Sequence, residues 1–115
     1  MHAYGCWRID VHGHAVGSTT PMADRADPAL TAAMIVLAAN KQARLAGALA
    51  TVGRMEASPG ASDSVASRVS LWLDVRAEGD DAVDRLVAVV ARQACDRAER
   101  DGTRVDVELV ERGRR

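Results

Sequence analysis

Hydrophobic and polar residues alternate along four stretches of the chain, and a period of two residues is typical of half-buried β-strands. The predicted strands are 7–16, 49–57, 68–76 and 105–109. The third is the clearest, because every second side chain from Val69 to Val75 is aliphatic. Its other side carries Arg68, Ser70, Trp72, Asp74 and Arg76. We therefore expect a sheet with one apolar and one polar face.

Two other stretches carry the helical spacing of apolar residues. Asp27 and Pro28 predict the start of the first helix, since the carboxylate caps free N–H groups and proline suits the first position. Gly47 predicts its end. The second helix opens at 79–81, with Asp80 and Asp81 as caps, and ends at Asp101 and Gly102. The predicted apolar stripes are Leu30, Ala33, Met34, Leu37 and Ala38 in the first helix, and Val83, Leu86, Val87, Val90, Ala94 and Ala98 in the second.

The resulting order, β-α-β-β-α-β, predicts an α+β, two-layer ferredoxin-like sandwich. We expect a four-stranded antiparallel sheet with both helices on one face, as right-handed crossovers require. The other face then carries Trp72 and the charged residues, unless a partner covers it. Residues 1–115 contain no linker, so we expect a single domain.

Composition narrows the classes of function. The 15 basic and 16 acidic residues nearly cancel, which gives no basic footprint for nucleic acid. No apolar run is long enough for a membrane span, and no signal peptide is visible, so we expect a cytoplasmic location. Aromatic residues make up 3% of the chain and phenylalanine is absent, which disfavours a large aromatic-lined ligand pocket.

The residues that could carry chemistry are few. His12 and His14 form a His-x-His pair on one predicted strand face, but the sequence offers no third zinc ligand. The hydroxyl groups of 18–20 fit a turn better than a nucleophile. Cys6 and Cys95 have no metal or disulfide spacing, so we expect both to be reduced and buried. Chemistry alone therefore predicts a non-catalytic α+β module.

Three motifs resemble one family. They are Val11-His12-Gly13-His14-Ala15 followed by Thr19-Thr20-Pro21-Met22 and Arg25-x-Asp27; Ala50-Thr51-Val52-Gly53-Arg54-Met55-Glu56 with Pro59-Gly60-Ala61; and Arg68-Val69-Ser70-Leu71-Trp72-Leu73-Asp74-Val75-Arg76. In this order they are similar to the lid, or dimerisation, domain of M20-type zinc amidohydrolases. The relevant members are N-carbamoyl-L-amino-acid hydrolases, β-ureidopropionases and allantoate amidohydrolases. The resemblance runs from about residue 5 to about residue 110.

The resemblance implies a lid inserted into a larger catalytic domain, which holds two metal ions, zinc or manganese, and the general base. It implies that two lids form a homodimer through edge strands and helices and lend residues to the substrate. We therefore expect no cofactor and no catalytic residue in this chain.

The family's substrate-binding positions imply three candidates here. Arg68 matches the arginine that binds the substrate carboxylate. The family's histidine before Ala-Gly-Thr-Thr-Pro-Met falls at Val16 or Gly17, so His14 takes its place only if the loop shifts. Asp63 stands where the family has asparagine, and its charge repels a substrate carboxylate.

Three functions stay open at this point. The first is a lid and dimerisation module that is not catalytic alone. The second is a stand-alone lid-like scaffold that pairs with a separately encoded enzyme; the altered histidine and asparagine positions favour it. A weaker third is a small enzyme that uses His12, His14 or Arg68. The sequence fits both an excised fragment and a natural stand-alone protein.

Overall fold

A computed structural model describes residues 2–114 of the chain. In this range the elements are β1 (Ala3–His12), a 3-10 turn (Met22–Asp24), α1 (Pro28–Ala46), β2 (Leu49–Ser58), β3 (Arg68–Ala77), α2 (Asp80–Asp101) and β4 (Arg104–Arg114). The strands form one antiparallel sheet in the order β2-β3-β1-β4. The predicted ferredoxin-like fold is confirmed.

The helix ends follow the predicted signals. Asp27 caps α1, because its carboxylate accepts a hydrogen bond from the N–H of Ala29 at 2.9 Å. Gly47 and Gly102 end the two helices at φ values of 65° and 75°, a left-handed conformation that suits glycine. The prediction that Asp80 and Asp81 cap α2 is wrong. The N-cap is Gly79, and both aspartates lie in the first turn. Their negative charges there interact favourably with the positive end of the helix dipole.

The core lies between the sheet and the two helices. The inward side chains of β1 and β3 are buried as predicted, and so is the α2 stripe apart from Val87, which is partly exposed. The largest fully buried side chains are Ile9, Val11, Ile35, Leu71, Leu73, Val75, Val83 and Val90. Tight packing of such branched side chains makes the sheet a rigid support for its outer face.

The predicted apolar stripe of α1 is wrong. Leu30 and Leu37 are 46% and 61% exposed. The buried residues of α1 are instead Pro28, Thr31, Ala32, Ile35, Ala39 and Ala43. The helix is apolar around most of its circumference, so periodicity alone does not select a face. The face with small residues lies against the sheet, because alanine lets the helix approach closely.

The predicted bounds of β1 are also wrong. The strand begins at Ala3 and ends at His12, so His14 lies in the following loop and does not share a strand face with His12. The chain leaves the sheet here, where the N–H of Gly13 donates to the backbone carbonyl of Ser67 and the N–H of His14 donates to that of Ala26.

The cysteines are free, which confirms the predicted reduced state. Their predicted burial is wrong. Cys95 is exposed on α2, and Cys6 is half-buried on the outer face of the sheet. The alternation of β1 explains the position of Cys6, because it lies between the inward residues Gly5 and Trp7.

Candidate functional site

Two loops meet at one end of the sheet and bring the three predicted site residues together there. The N–H of Ser18 donates to the carbonyl of Asp63 at 3.1 Å, and that of Val65 donates to Val16 at 2.7 Å. These bonds join the loop after β1 to the loop before β3. His14 and Asp63 lie in these loops, and Arg68 is the first residue of β3.

All three side chains are exposed. Arg68 lies opposite His12 in the pairing of β1 with β3. Within residues 2–114 the guanidinium group of Arg68 makes no ion pair or side-chain hydrogen bond. An exposed, unpaired guanidinium is suited to grip a carboxylate through two parallel hydrogen bonds.

Arg25 shapes the first loop, a role that the sequence did not reveal. Its Nε donates to the carbonyl of Thr20 at 3.0 Å, and its terminal nitrogen donates to that of Ser18 at 2.9 Å. The guanidinium therefore closes the hydroxyl-rich turn at 18–20. The spacing Arg25-x-Asp27 is the signal that could have indicated this, since Asp27 fixes the start of α1 beside it.

A cleft of about 290 Å³ lies between these loops and the start of α1. Its walls include Ser18, Arg25, Asp27, Pro59, Gly60 and Ser64. The Ser64 hydroxyl oxygen is buried without a hydrogen-bond partner in the described residues. His14, Asp63 and Arg68 are not among the wall residues, so the predicted site is a surface beside this cleft.

The outer face of the sheet, opposite the helices, carries charged side chains in rows of alternating sign. The strand registers place Arg68, His12 and Arg104 in the first row, and Glu56, Asp10 and Asp106 in the second. Four ion pairs lie within single strands: Arg8–Asp10, Arg54–Glu56, Arg76–Asp74 and Arg104–Asp106. Arg8–Glu108 joins β1 to β4, and the His12 imidazole lies 3.2 Å from the Asp106 carboxylate, also across these two strands. Opposite charges thus largely neutralise one another on this face.

A larger cleft of about 490 Å³ lies on the same face. It is lined by Cys6, Thr51, Gly53, Arg54, Trp72, Asp74 and Arg76. The Arg54 guanidinium lies 4.2 Å from the centroid of the Trp72 ring, a cation–π geometry. Arg76 donates to Asp74 at 3.0 Å, and this hydrogen bond and the charge of Asp74 raise the pKa of Arg76. Two cations therefore line one cleft.

Sequence reasoning missed this second cleft as a site. Its residues come from three strands that are far apart in the chain, so no local motif contains them. The outward positions Trp72, Asp74 and Arg76 of β3 were the available signal, because alternation places them on one face.

Cys6 is a poor nucleophile in this cleft. Burial raises the pKa of its thiol, and the nearby carboxylates of Asp74 and Glu111 raise it further. The reactive form of a cysteine is the thiolate, which a raised pKa disfavours.

The described residues hold neither a metal-binding cluster nor a membrane-spanning helix. Residues 2–114 contain no group of three or more His, Cys, Asp or Glu side chains that could hold a metal ion. In the same part of the chain, no helix is long and apolar enough to cross a membrane. The described residues therefore do not fit a metal centre.

The chain has the fold of a domain found in amidases. It matches a hydantoinase/carbamoylase family amidase from Burkholderia ambifaria with a TM-score of 0.95 at 23% identity. It matches the structure of AtUAH in complex with (S)-hydroxyglycine with a TM-score of 0.92 at 22% identity. Each match covers 98% of this chain and 28% of the amidase.

A more distant match extends the same result. The aminobenzoyl-glutamate utilization protein from Klebsiella pneumoniae gives a TM-score of 0.84 at 17% identity, over 99% of this chain and 29% of that protein. No protein-family model matches the sequence, and no curated protein matches it. The resemblance inferred from the motifs is thus confirmed for the fold, and the chain spans less than a third of each matched protein.

Proposed function

We propose that this chain is the lid and dimerisation module of an M20-type metal-dependent amidohydrolase. It contributes dimer contacts and a substrate-facing surface, and hydrolysis belongs to a catalytic domain with zinc or manganese. The observation that carries this proposal is the fold match, which covers nearly the whole chain but only a small segment of each amidase.

The proposed dimer contact is the free edge of β2. This strand lies at the end of the sheet, so its outer N–H and C=O groups are open to pairing with another strand. Leu49 and Met55 on this strand are 63% and 53% exposed. Exposed apolar side chains along an open edge favour a second copy as the partner, because pairing buries them together with the backbone groups.

The proposed substrate-facing surface is the loop end with His14, Asp63 and Arg68. Its ligand class is a small carboxylate, which an unpaired guanidinium binds well. The ligand of AtUAH, (S)-hydroxyglycine, belongs to this class. Arg76 is a second candidate for the same role, because it lines a cleft and Arg68 does not.

The two arginines come closer in the proposed dimer than in one chain. They lie at opposite ends of β3, about 26 Å apart at 3.3 Å per residue. In a second copy that pairs antiparallel at β2, the partner's β3 runs opposite to β3 of the first copy. The partner's loop end then lies at the same end of the extended sheet as Arg76 of the first copy. A substrate surface shared between two copies follows from this geometry.

The test is a titration of the chain with N-carbamoylglycine followed by NMR chemical shifts. We expect shifts centred on the loop end, and a loss of binding of at least fivefold in the Arg68→Ala variant. Arg92→Ala, an exposed arginine on α2, is the matched control and should bind normally. Binding that is lost in Arg76→Ala but kept in Arg68→Ala would move the site to the outer cleft. No binding by any variant or by the parent chain would refute a substrate surface on this chain.

The alternative is a stand-alone lid-like scaffold that pairs with a separately encoded enzyme. The residues at the family's histidine and asparagine positions, Val16 or Gly17 and Asp63, favour it. Affinity purification of the tagged chain distinguishes the two proposals. Recovery of a separate catalytic subunit supports the scaffold, whereas amidase activity of the purified chain alone would contradict both.

A further inference from the structure

The first row of charged side chains on the outer face carries positive charge that its neighbours only partly balance. Two of the three acidic residues in the second row pair away from it, Glu56 with Arg54 at 2.6 Å and Asp10 with Arg8 at 3.1 Å. Within residues 2–114, Asp106 alone pairs with the first row. The strands end at the first row, so no further row of charges follows it. This end of the sheet therefore keeps a positive surplus.

Asp106 is shared between two cationic groups of the first row. Its Oδ2 lies 3.2 Å from Nε2 of His12 and 3.5 Å from a guanidinium nitrogen of Arg104. The second distance exceeds the about 2.7–2.9 Å of a charge-assisted hydrogen bond, and 70% of the Arg104 side chain is exposed. Ion pairs between exposed groups contribute little to stability. Arg104 can therefore turn from Asp106 to a ligand at small cost.

Arg104 and the unpaired Arg68 lie close enough to act on one small molecule. Arg68 lies opposite His12 in the pairing of β3 with β1, and His12 lies opposite Arg104 in the pairing of β1 with β4. Because neighbouring strands are spaced by about 4.8 Å, the two arginines start about 10 Å apart. Their long side chains can converge from this separation. The residue between them is a histidine, so no carboxylate of the first row separates the two guanidinium groups.

We infer that the loop end of the sheet takes a dicarboxylate, with one carboxylate on Arg68 and the second on Arg104. This inference rests on the proposed function, names its substrate class and adds Arg104 as a residue that determines specificity. A guanidinium grips a carboxylate through two parallel hydrogen bonds. A monocarboxylate engages Arg68 and leaves Arg104 on Asp106. A second carboxylate replaces Asp106 as the partner of Arg104.

The test is a calorimetric titration of the chain with three ligands at one fixed salt concentration. N-carbamoyl-L-aspartate carries two carboxylates, and N-carbamoyl-L-asparagine has nearly the same shape without the second charge. N-carbamoylglycine reports the binding of a single carboxylate. The aspartate derivative should bind about fivefold more tightly than the asparagine derivative, because a favourable exposed ion pair contributes up to about that factor.

Variants assign the preference to one side chain. Arg104→Ala should reduce the preference for the aspartate derivative to less than about twofold and leave binding of N-carbamoylglycine unchanged, because only the second ion pair is lost. Arg68→Ala should weaken the binding of all three ligands. Arg92→Ala is the matched control, since it removes one exposed positive charge from α2, on the helix side of the sheet. It should keep the full preference.

The outcomes separate the second carboxylate from the surface itself. If the parent chain binds N-carbamoylglycine but binds the aspartate and asparagine derivatives equally, the inference is overturned and the proposed function stands. A preference that persists in Arg104→Ala, or that is lost equally in Arg92→Ala, also overturns the inference, because Arg104 then has no specific role. Failure of all three ligands to bind overturns the inference together with the proposed substrate surface.

Discussion

Asp101 is a carboxylate at the end of α2 whose removal should destabilise the whole domain. Its side chain is only 7% exposed. Thr31 on α1 donates its hydroxyl hydrogen to Asp101 at 2.7 Å, and Arg97 donates to both carboxylate oxygens at 3.0 Å. Since Thr31 has a single hydrogen, the hydroxyl of Thr103 at 2.7 Å must donate to Thr31. The cluster joins α1, α2 and the segment before β4.

The effect of Asp101→Ala follows from these contacts. Thr31 is fully buried, so its hydroxyl cannot turn to water when the acceptor is lost. Hydrogen bonds to charged groups contribute about 1.5–3 kcal/mol each. Arg97 is 23% exposed, so water can solvate its guanidinium when the Asp101 carboxylate is removed. Breaking this ion pair therefore costs less than the 3–5 kcal/mol typical of a fully buried pair. We expect the free energy of unfolding to fall by about 3 kcal/mol.

Urea denaturation followed by circular dichroism measures this change. All variants must be compared at one chain concentration, because association contributes to apparent stability. Thr31→Val should lose about 1–2 kcal/mol, because the Asp101–Arg97 pair remains. Asp96→Ala, an exposed aspartate on the same helix, should change stability by less than about 0.5 kcal/mol. If Asp101→Ala behaves like Asp96→Ala, the cluster is not a stabilising element.

Two further predictions concern the cysteines and the start of β1. At pH 8, Cys95 should react with a thiol reagent faster than Cys6, because the pKa of Cys6 is raised. The difference between the two reaction rates should narrow as the pH rises and the Cys6 thiolate forms. Equal rates at pH 8 would contradict the prediction. Gly5→Ala should lower stability by about 1–3 kcal/mol, because a Cβ there would lie 2.5 Å from the Trp7 ring. Thermal unfolding checks this, with Gly17→Ala, an open position, as the unaffected control.

The parts of the fold that the sequence predicted are those in which polar and apolar residues separate cleanly. In α2, charged residues interrupt the aliphatic ones at regular intervals, so a single buried stripe was visible. In β3 the alternation is unbroken from Val69 to Val75. The start of β1 was missed, because the inward positions there are Ala3 and Gly5, which carry no apolar signal.

The sites are harder to predict than the fold, because they depend on contacts between distant segments. Arg68 was visible as a strand residue after a loop, but the absence of an ion pair to it within residues 2–114 depends on the registers of β1 and β2. The cleft around Trp72 includes Gly53 at the bulge of β2, and a bulge cannot be inferred from one strand. The cation–π contact with Arg54 follows from that register and from no local motif.

The exposed leucines of α1 bear on the proposed dimer. Leu30 and Leu37 are exposed in the single chain, and Leu37 lies about 200° around the helix from the buried Ile35 at roughly 100° per residue. A helix that only covers a sheet is expected to carry polar residues on its outward side. Pairing of two copies along β2 would place both α1 helices on the same face of the extended sheet, on either side of the axis. In the proposed dimer we expect these outward leucines to form a second contact. The apolar pattern of α1 would then reflect burial against its own sheet on one side and burial against the second copy on the other.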